Sequence, residues 1–526
     1  MPRILVADPL AEDGLERLRR AGDVTVVSKL PEAELIARIP DFDALVVRSE
    51  TRVTAPIIDA GLKLRVVGRA GVGVDNIDVP AATRKGIVVV NAPRGNIVAA
   101  AEHTIALLMA LARWVPQADA SVKRGEWTRA KFVGTEIRGK TLGVIGLGNV
   151  GSEVAKRAHG LEMDVIAFDP VVSVERAELF NVPLVTLSEL LERADFVTVH
   201  VPLVESNRNL IGGPELALMK STARLINTAR GGIVDEAALA EALSSGEIAA
   251  AAADVFVTEP PGANPLLMLP NFIATPHIGA STVEAQVSVA FDVAEEIAAV
   301  LAGDLPRFAV NAPALPPEEL AYLKPFAELT ERLAALHVQL FGGRVGAIEL
   351  DFDGELADHD VNLLVAAAIK GVVQPFTEER INAVNARLIA SGRGIRLAER
   401  RNRTQGSYAS LVTIRMQDHE IAGTVLMGEP RAVRIDAFRV DLVPAGRFLV
   451  SRHHDRPGVV GMVGSILGEH DVNIASMQVG RDAPRGSAMM ILAVDDRVAP
   501  DVLDRLRDVP GMADLRYVEL DGDSDR

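Results

Sequence analysis

Short apolar runs rich in Val, Ile and Ala alternate with helical patterns over more than half of the chain. The first runs are Ile4–Ala7, Val24–Val27, Ala44–Val47, Arg65–Gly68 and Ile87–Val90. This rhythm predicts a parallel sheet with crossover helices. An apolar helix is expected from about Ile97 to Trp114. The rhythm resumes with Thr141–Ile145, Asp164–Phe168, Phe196–Val199, Ala223–Asn227, Ala250–Asp254 and Phe272–Thr275, then a long helix over Thr282–Ala302. Two adjacent βα blocks predict two similar lobes with a cleft between them.

The proline-rich break Asn311–Pro317 ends this pattern. Beyond it, helices are expected over Glu318–Phe341, Val361–Lys370 and Thr377–Ser391, and strands over Ala347–Phe352, Ser410–Met416 and Glu420–Leu426. A second break falls at Pro444–Gly446. The remainder reads β-α-β-β-α-β, the ferredoxin-like order: Phe448–Val450, Val459–Glu469, Val472–Val479, Ala488–Val494, Pro500–Arg507 and Leu515–Leu520. The expected units are a first lobe of residues 1–94 with 277–307, a second lobe of 95–276, an intervening domain of 308–446 and a terminal domain of 447–526.

Composition narrows the function. A chain of 526 residues is too long for one core. Its net charge of −16 argues against nucleic-acid or anionic-membrane partners, so any anionic substrate needs a local basic cluster. The absence of cysteine excludes disulfides, thiolate catalysis and Cys-based metal sites, and no metal is expected. The N-terminus enters a strand pattern without a signal-peptide layout, and no apolar run is long enough to span a membrane. A cytoplasmic protein is expected.

The clearest chemical signal is Thr141–Gly151, an apolar strand running into GxGxxG at Gly146, Gly148 and Gly151. Gly146 permits the tight turn, Gly148 lets a pyrophosphate approach the backbone, and Gly151 lets the following helix pack on the strand. The helix N-terminus offers free N–H groups to a diphosphate. The next strand ends on Asp169, which can accept hydrogen bonds from an adenosine ribose and would repel a 2′-phosphate. NAD is therefore expected rather than NADP.

Three polar segments fall at the ends of strands in the same lobe: Asn227–Gly232 with Arg230, Asp254–Pro260 with Glu259, and Thr275–Ser281 with His277. Arg230 can bind a carboxylate bidentately. His277 suits proton transfer near neutrality, and Glu259 would orient it and favour the imidazolium. Beside a nicotinamide, these groups suit oxidation of a 2-hydroxy acid. Taken singly, each also fits an ordinary structural role.

The segments GLGNVG (146–151), NTARGG (227–232), DVFVTEP (254–260) and PHIGAST (276–282) resemble the D-isomer-specific 2-hydroxyacid dehydrogenases. The resemblance covers about residues 1–310. It implies an α/β catalytic unit with a flavodoxin-like substrate lobe and a Rossmann NAD lobe. It further implies Arg230 as carboxylate binder, His277 as acid/base and Glu259 as its partner. Cofactor contacts would fall on Val72, Gly146, Gly148, Asn149, Val150, Gly151, Asp169, Val201, Thr228, Ala229, Asp254, His277, Gly279 and Ala280. Many relatives carry Arg-Ile where this chain has Asn149–Val150.

VRSET (47–51), GRAGVGVDN (68–76) and WTRAK (127–131) are similar to the branch of that family acting on 3-phospho-D-glycerate. The phosphate would be met by Arg48, Ser49, Arg69 and Gly71, with Arg129 reaching in from a partner subunit. A homo-oligomer is implied, dimeric through its catalytic units and tetrameric overall. The C-terminal extension resembles the long form of that branch, with an α+β intervening domain and a ferredoxin-like βαββαβ ACT domain. In the latter, Asp455–Val459 sits at the first strand-to-helix turn. His453, Asp455 and Asn473 are the candidate effector residues, with L-serine as the implied effector. The adjacent His453–His454 pair departs from the serine-responsive pattern. Arg431, Arg434 and Arg439 form a basic strand-like run, read as solvated charges or as an anion site. Two other functions fit the fold: a dehydrogenase for glycerate, lactate or 2-hydroxyglutarate, and an NAD-sensing corepressor-like protein.

Overall fold

The computed structural model describes residues 1–313, 315–343, 345–404 and 406–520, without the side chain of Pro317. Its N-terminal sheet contains β1 (Arg3–Val6), β2 (Asp23–Val26), β3 (Ala44–Val47), β4 (Val66–Arg69) and β5 (Val88–Asn91). The order is β2-β1-β3-β4-β5 and every pair is parallel. β3 is buried at every position, which is why its sequence is continuously apolar rather than alternating. The helix Val283–Ala302 returns to this sheet from the far end of the second lobe. It buries Val289, Val293, Ala294 and Ile297 against Ile4, Val46 and Val66.

The second sheet contains β6 (Thr141–Ile145), β7 (Asp164–Phe168), β8 (Phe196–Val199), β9 (Arg224–Asn227), β10 (Ala250–Ala253) and β11 (Phe272–Ala274). It is parallel, in the order β11-β10-β9-β8-β6-β7. The order reverses at β6, so a crevice opens beyond the carboxyl ends of β6 and β8. The four alanines of β10 leave room for the helix Ile97–Arg113, whose Leu107, Leu108 and Leu111 pack on Ala250 and Ala252. Each of these leucines, fully buried, stabilises by about 1.5–3 kcal/mol.

The third sheet joins β12 (Ala347–Gly354), β13 (Arg396–Asn402), β14 (Ser410–Met416), β15 (His419–Leu426), β16 (Glu429–Ile435) and β17 (Phe438–Leu442) in the order β13-β12-β14-β15-β16-β17. Only the β12–β13 pair is parallel. The helices Pro317–Phe341 and Asn362–Val373 pack on it. The last sheet is antiparallel and contains β18 (Gly446–His454), β19 (Ile474–Arg481), β20 (Ser487–Val494) and β21 (Met512–Leu520), in the order β19-β20-β18-β21. The helices Val459–Glu469 and Pro500–Arg507 cover one face through Val463, Leu467 and Leu506. Phe448, Val450 and Ile491, on the other face, join the core of the intervening domain. The break at Pro444–Gly446 therefore separates two sheets that share a core.

This half departs from expectation in two places. The helix expected over Thr377–Ser391 forms only as Ala386–Gly392. Ahead of it, Asn385 Oδ1 accepts from Asn382 N–H (3.0 Å), and Asn382 Oδ1 accepts from Val384 N–H (2.9 Å). These side chains offer the backbone an alternative to helical bonds. The freed loop docks on the first lobe, with Arg380 Nη1 donating to Leu64 O (3.0 Å) and Asn382 Nδ2 to Gly86 O (2.7 Å). The other is β13, an edge strand no expectation covered, almost wholly exposed and lacking the alternation that marks a strand. No single helix among the described residues is long and apolar enough to cross a membrane.

Removing both donors in Arg380→Ala/Asn382→Ala is expected to speed amide exchange roughly tenfold in residues 377–385 and beside Leu64 and Gly86. Exchange in β6–β11 should not change, and mass-spectrometric peptide mapping reads both regions.

Candidate active site

The fingerprint folds as a tight turn. Gly146 has φ +93°, and a β-carbon there would lie 2.7 Å from His200 O. A β-carbon on Gly151 would lie 2.0 Å from Gly146 O, so both positions require glycine. Nothing stands within 4 Å of the β-carbon position of Gly148, which begins the helix Asn149–Gly160. This bare helix N-terminus suits a diphosphate. The Asp169 carboxylate accepts from Leu147 N–H (2.8 Å), Val171 N–H (2.9 Å) and Val172 N–H (3.1 Å). It is thus fixed at the end of β7, beside the glycine loop. These groups fit NAD.

Opposite the fingerprint, the loops after β9, β10 and β11 converge. The Asn227 amide ties the first loop, donating to Arg230 O (2.9 Å) and accepting from Ala229 N–H (3.1 Å). Thr228 Oγ1 meets Thr104 Oγ1 at 2.8 Å. His277 Nδ1 lies 2.8 Å from Glu259 Oε2, and Glu259 Oε1 accepts from Phe256 N–H (3.0 Å). Burial pushes the Glu259 carboxyl up. The bonds from His277 and Phe256 outweigh that and hold it below the usual range. His277 itself occupies the left-handed region, at φ +53°.

Asp254 organises that loop. It is 1% exposed. Its Oδ1 accepts from Thr275 Oγ1 (2.6 Å) and Ile278 N–H (2.9 Å), and its Oδ2 from Gly279 N–H (2.8 Å). Its carbonyl accepts from His277 N–H (2.9 Å). Burial alone would raise its pKa, but the nearby His103 ring and the bonds from Thr275, Ile278 and Gly279 lower it below the ordinary 3.8. His200, behind the glycine loop, is the opposite case. Burial pushes its pKa down to about 3, so it stays neutral against Thr198.

The first lobe faces these loops with cations. Arg69, at the end of β4, is pushed down to about 10 by burial first, then by Arg230 and Arg48. Its Nε is buried without a hydrogen-bond partner among the described residues. A β-carbon at Gly71 would displace the Arg69 guanidinium (2.0 Å), and one at Gly73 would displace that of Arg230 (2.1 Å). Arg230 reaches across the cleft, and its Nε stands 3.3 Å from Asp75 Oδ2. The buried Asp8 holds the Arg48 loop, accepting from Arg48 N–H (2.5 Å) and Thr51 Oγ1 (2.6 Å). Ser49 is exposed beside Arg48 and Gly71 is buried beside Arg69. Val72 O accepts from Asn91 Nδ2 (2.5 Å), which fixes this segment to β5. Val150, Val201, Ala229 and Ala280 are half-buried around the cleft loops, and Asn149 is exposed.

Other expected residues lie elsewhere. Arg129 is exposed, lies over the Trp127 ring (5.7 Å), and makes no salt bridge with a carboxylate among the described residues. In the terminal domain, Asp455 lies beyond the end of β18, where it accepts from Arg485 N–H (3.0 Å) and faces Arg481 (3.3 Å). Asn473 is at the opposite end of that sheet, donating to Asp495 Oδ2 (2.6 Å). His453 is 4% exposed and faces inward. No single chain gathers these three groups. Arg431 is paired with Glu429 and Asp441, and Arg434 with Glu420, so two charges of the basic run meet carboxylates, Asp441 and Glu420 coming from neighbouring strands. Reading by segments missed His103, Asp8 and Asp75, since each meets its partner only through the tertiary fold.

Residues 105–279 match the NAD-binding domain of the D-isomer specific 2-hydroxyacid dehydrogenases, 322–436 the D-3-phosphoglycerate dehydrogenase intervening domain, and 447–511 the ACT domain. The chain is 45% identical over 526 residues to D-3-phosphoglycerate dehydrogenase of Archaeoglobus fulgidus, covering 98% of this chain and 100% of that protein. The chain belongs to the D-3-phosphoglycerate dehydrogenase family. The enzyme of that name from Methanocaldococcus jannaschii is 46% identical over 525 residues, spanning 99% of this chain and all of its own. Among solved structures, the TT0316 protein of Thermus thermophilus aligns with TM-score 0.55 at 37% identity, covering 59% of this chain and 99% of its own. The cofactor is NAD, held by the Rossmann lobe.

Asp254→Asn weakens the bonds that a carboxylate accepts in the 275–279 loop. A loss of about 1–3 kcal/mol is expected at neutral pH. Asp254 has a depressed folded-state pKa. Its contribution is therefore complete above the unfolded value and is lost as pH falls through the folded one. The gap between wild-type and variant melting temperatures should be full down to about pH 4 and narrow only below it.

Proposed function

We propose that this chain catalyses NAD-dependent oxidation of 3-phospho-D-glycerate to 3-phosphohydroxypyruvate, the first step of L-serine biosynthesis. The observation that carries the reading is the meeting of a His–Glu pair and Arg230 on one lobe with Arg69 and Arg48 on the other. Arg230 holds the substrate carboxylate. Arg69 and Arg48, with Ser49 and Gly71 beside them, hold the phosphate. In the neutral tautomer that donates from Nδ1 to Glu259, His277 keeps Nε2 free to take the hydroxyl proton. The Glu259 carboxylate stabilises the resulting imidazolium. NAD, when bound, supplies the hydride acceptor. Asp169 receives the adenosine ribose, and its charge disfavours a 2′-phosphate.

The working form in this reading is a homo-oligomer, dimeric through its catalytic units and tetrameric overall, with Arg129 serving a neighbouring subunit's substrate. The exposure of Trp127 (73%) and Val133 (78%) beside Arg129 supports a partner at this edge. Serine is the effector, bound between paired ACT domains. A ligand touching both Asp455 and Asn473 needs two copies of the sheet.

Initial rates of NADH formation with NAD and 3-phospho-D-glycerate, at alkaline pH with the product trapped, test the activity. Wild-type turnover should fall about 10²–10⁴-fold in His277→Ala. Millimolar serine should slow the wild type, and Asp455→Ala should blunt that inhibition. Turnover of unphosphorylated hydroxy acids alone would defeat the phosphate reading.

A further inference from the structure

His103 sits on the helix Ile97–Arg113 of the second lobe and is not one of the groups assigned to substrate or cofactor. Its Nε2 lies 3.0 Å from Thr275 Oγ1. A hydroxyl has one proton to give. At 2.6 Å from Asp254 Oδ1, that proton is committed to the carboxylate. Thr275 must therefore accept from His103, which fixes the ring with its proton on Nε2. The direct distance from His103 Nε2 to Asp254 Oδ1 is 3.4 Å, too long for a good hydrogen bond, so the hydroxyl is the link.

From Thr275 the polar chain runs on. Asp254 gathers the N–H groups of Ile278 and Gly279 on its carboxylate and that of His277 on its carbonyl. His277 is thereby held in a left-handed conformation that a residue with a β-carbon adopts only at a cost. Such a conformation persists only where its surroundings over-determine it. Thr104, the next residue on the helix, bonds Thr228 in the loop that carries Arg230. Two consecutive side chains of one helix thus brace two loops of the site.

We propose that His103 is a positioning residue for catalysis, fixing the loop of His277 through the Thr275 hydroxyl and Asp254. The proposal rests on His277 being the base, and the experiment tests the two separately.

The test uses the full-length enzyme with NAD and 3-phospho-D-glycerate. Single-turnover rates of NADH formation, KM for NAD and melting temperatures are compared for wild type, His103→Leu, His103→Gln, Thr275→Val, His103→Leu/Thr275→Val and His277→Ala. The single-turnover rate should fall about three- to tenfold in His103→Leu, the effect of one net hydrogen bond. Glutamine, which can donate to the same hydroxyl, should recover most of it. The double variant should be no slower than Thr275→Val, because His103 acts through that hydroxyl. A lower melting temperature with an unchanged single-turnover rate would reduce His103 to packing. Additive losses in the double variant, or a change in KM for NAD alone, would also overturn the proposal. If His277→Ala turns over as fast as wild type, the base assignment itself fails, whatever His103 does.

Discussion

Mutual repulsion among Arg48, Arg69 and Arg230 is the constraint on which the cleft depends. In a chain of net charge −16, these cations stand in one another's field, and Arg69 is also buried far enough to be pushed down to about 10. Asp8 and Asp75 offset part of that cost, but Asp75 is largely exposed and an exposed partner contributes little. An anion entering from solvent would relieve the remaining charge. A phosphorylated hydroxy acid carries two such groups, one for each lobe. At Gly71 and Gly73 the guanidinium groups of Arg69 and Arg230 occupy the space a β-carbon would fill.

Across the cleft the organising charge is negative. Asp254 holds the 275–279 loop from both its carboxylate and its carbonyl, and that loop delivers His277 to Glu259. Both sets of groups follow from parallel-sheet architecture. Arg69, Asn227, Asp254 and the His277 loop lie at or just beyond the carboxyl ends of β4, β9, β10 and β11, where loops are free to differ while the strands stay fixed. Asp75 and Arg230 meet across the gap, so the lobes touch through a weak, breakable contact suited to opening and closing.

Much of this was legible in the sequence because the chemistry is local. GxGxxG, its strand and its terminal acid occupy one βαβ unit, and the loops carrying Arg230, Glu259 and His277 each follow a recognisable strand. What was not legible depends on distant partners. His103 and Thr275 are 172 residues apart. Arg431 and Arg434 read as a basic run until neighbouring strands bring Asp441 and Glu420 beside them. The failed helix before Ala386 turns on asparagines that bond their own backbone and on a docking surface in another lobe. Strand β13 is hidden by its edge position, where polar residues cost nothing. The separation of Asp455 from Asn473 follows from the direction of β19 relative to β18, which a list of motifs does not encode.

The most direct measurement is the ratio of kcat/KM for 3-phospho-D-glycerate to that for D-glycerate, in wild type and in Arg69→Gln. If the cation cluster exists to hold the phosphate, the wild-type ratio strongly favours the phosphorylated acid. Removing one charge-assisted contact should then lower the ratio about ten- to a hundredfold, with D-glycerate turnover nearly unchanged. An unchanged ratio, or an equal loss with both acids, would contradict that role for the cluster.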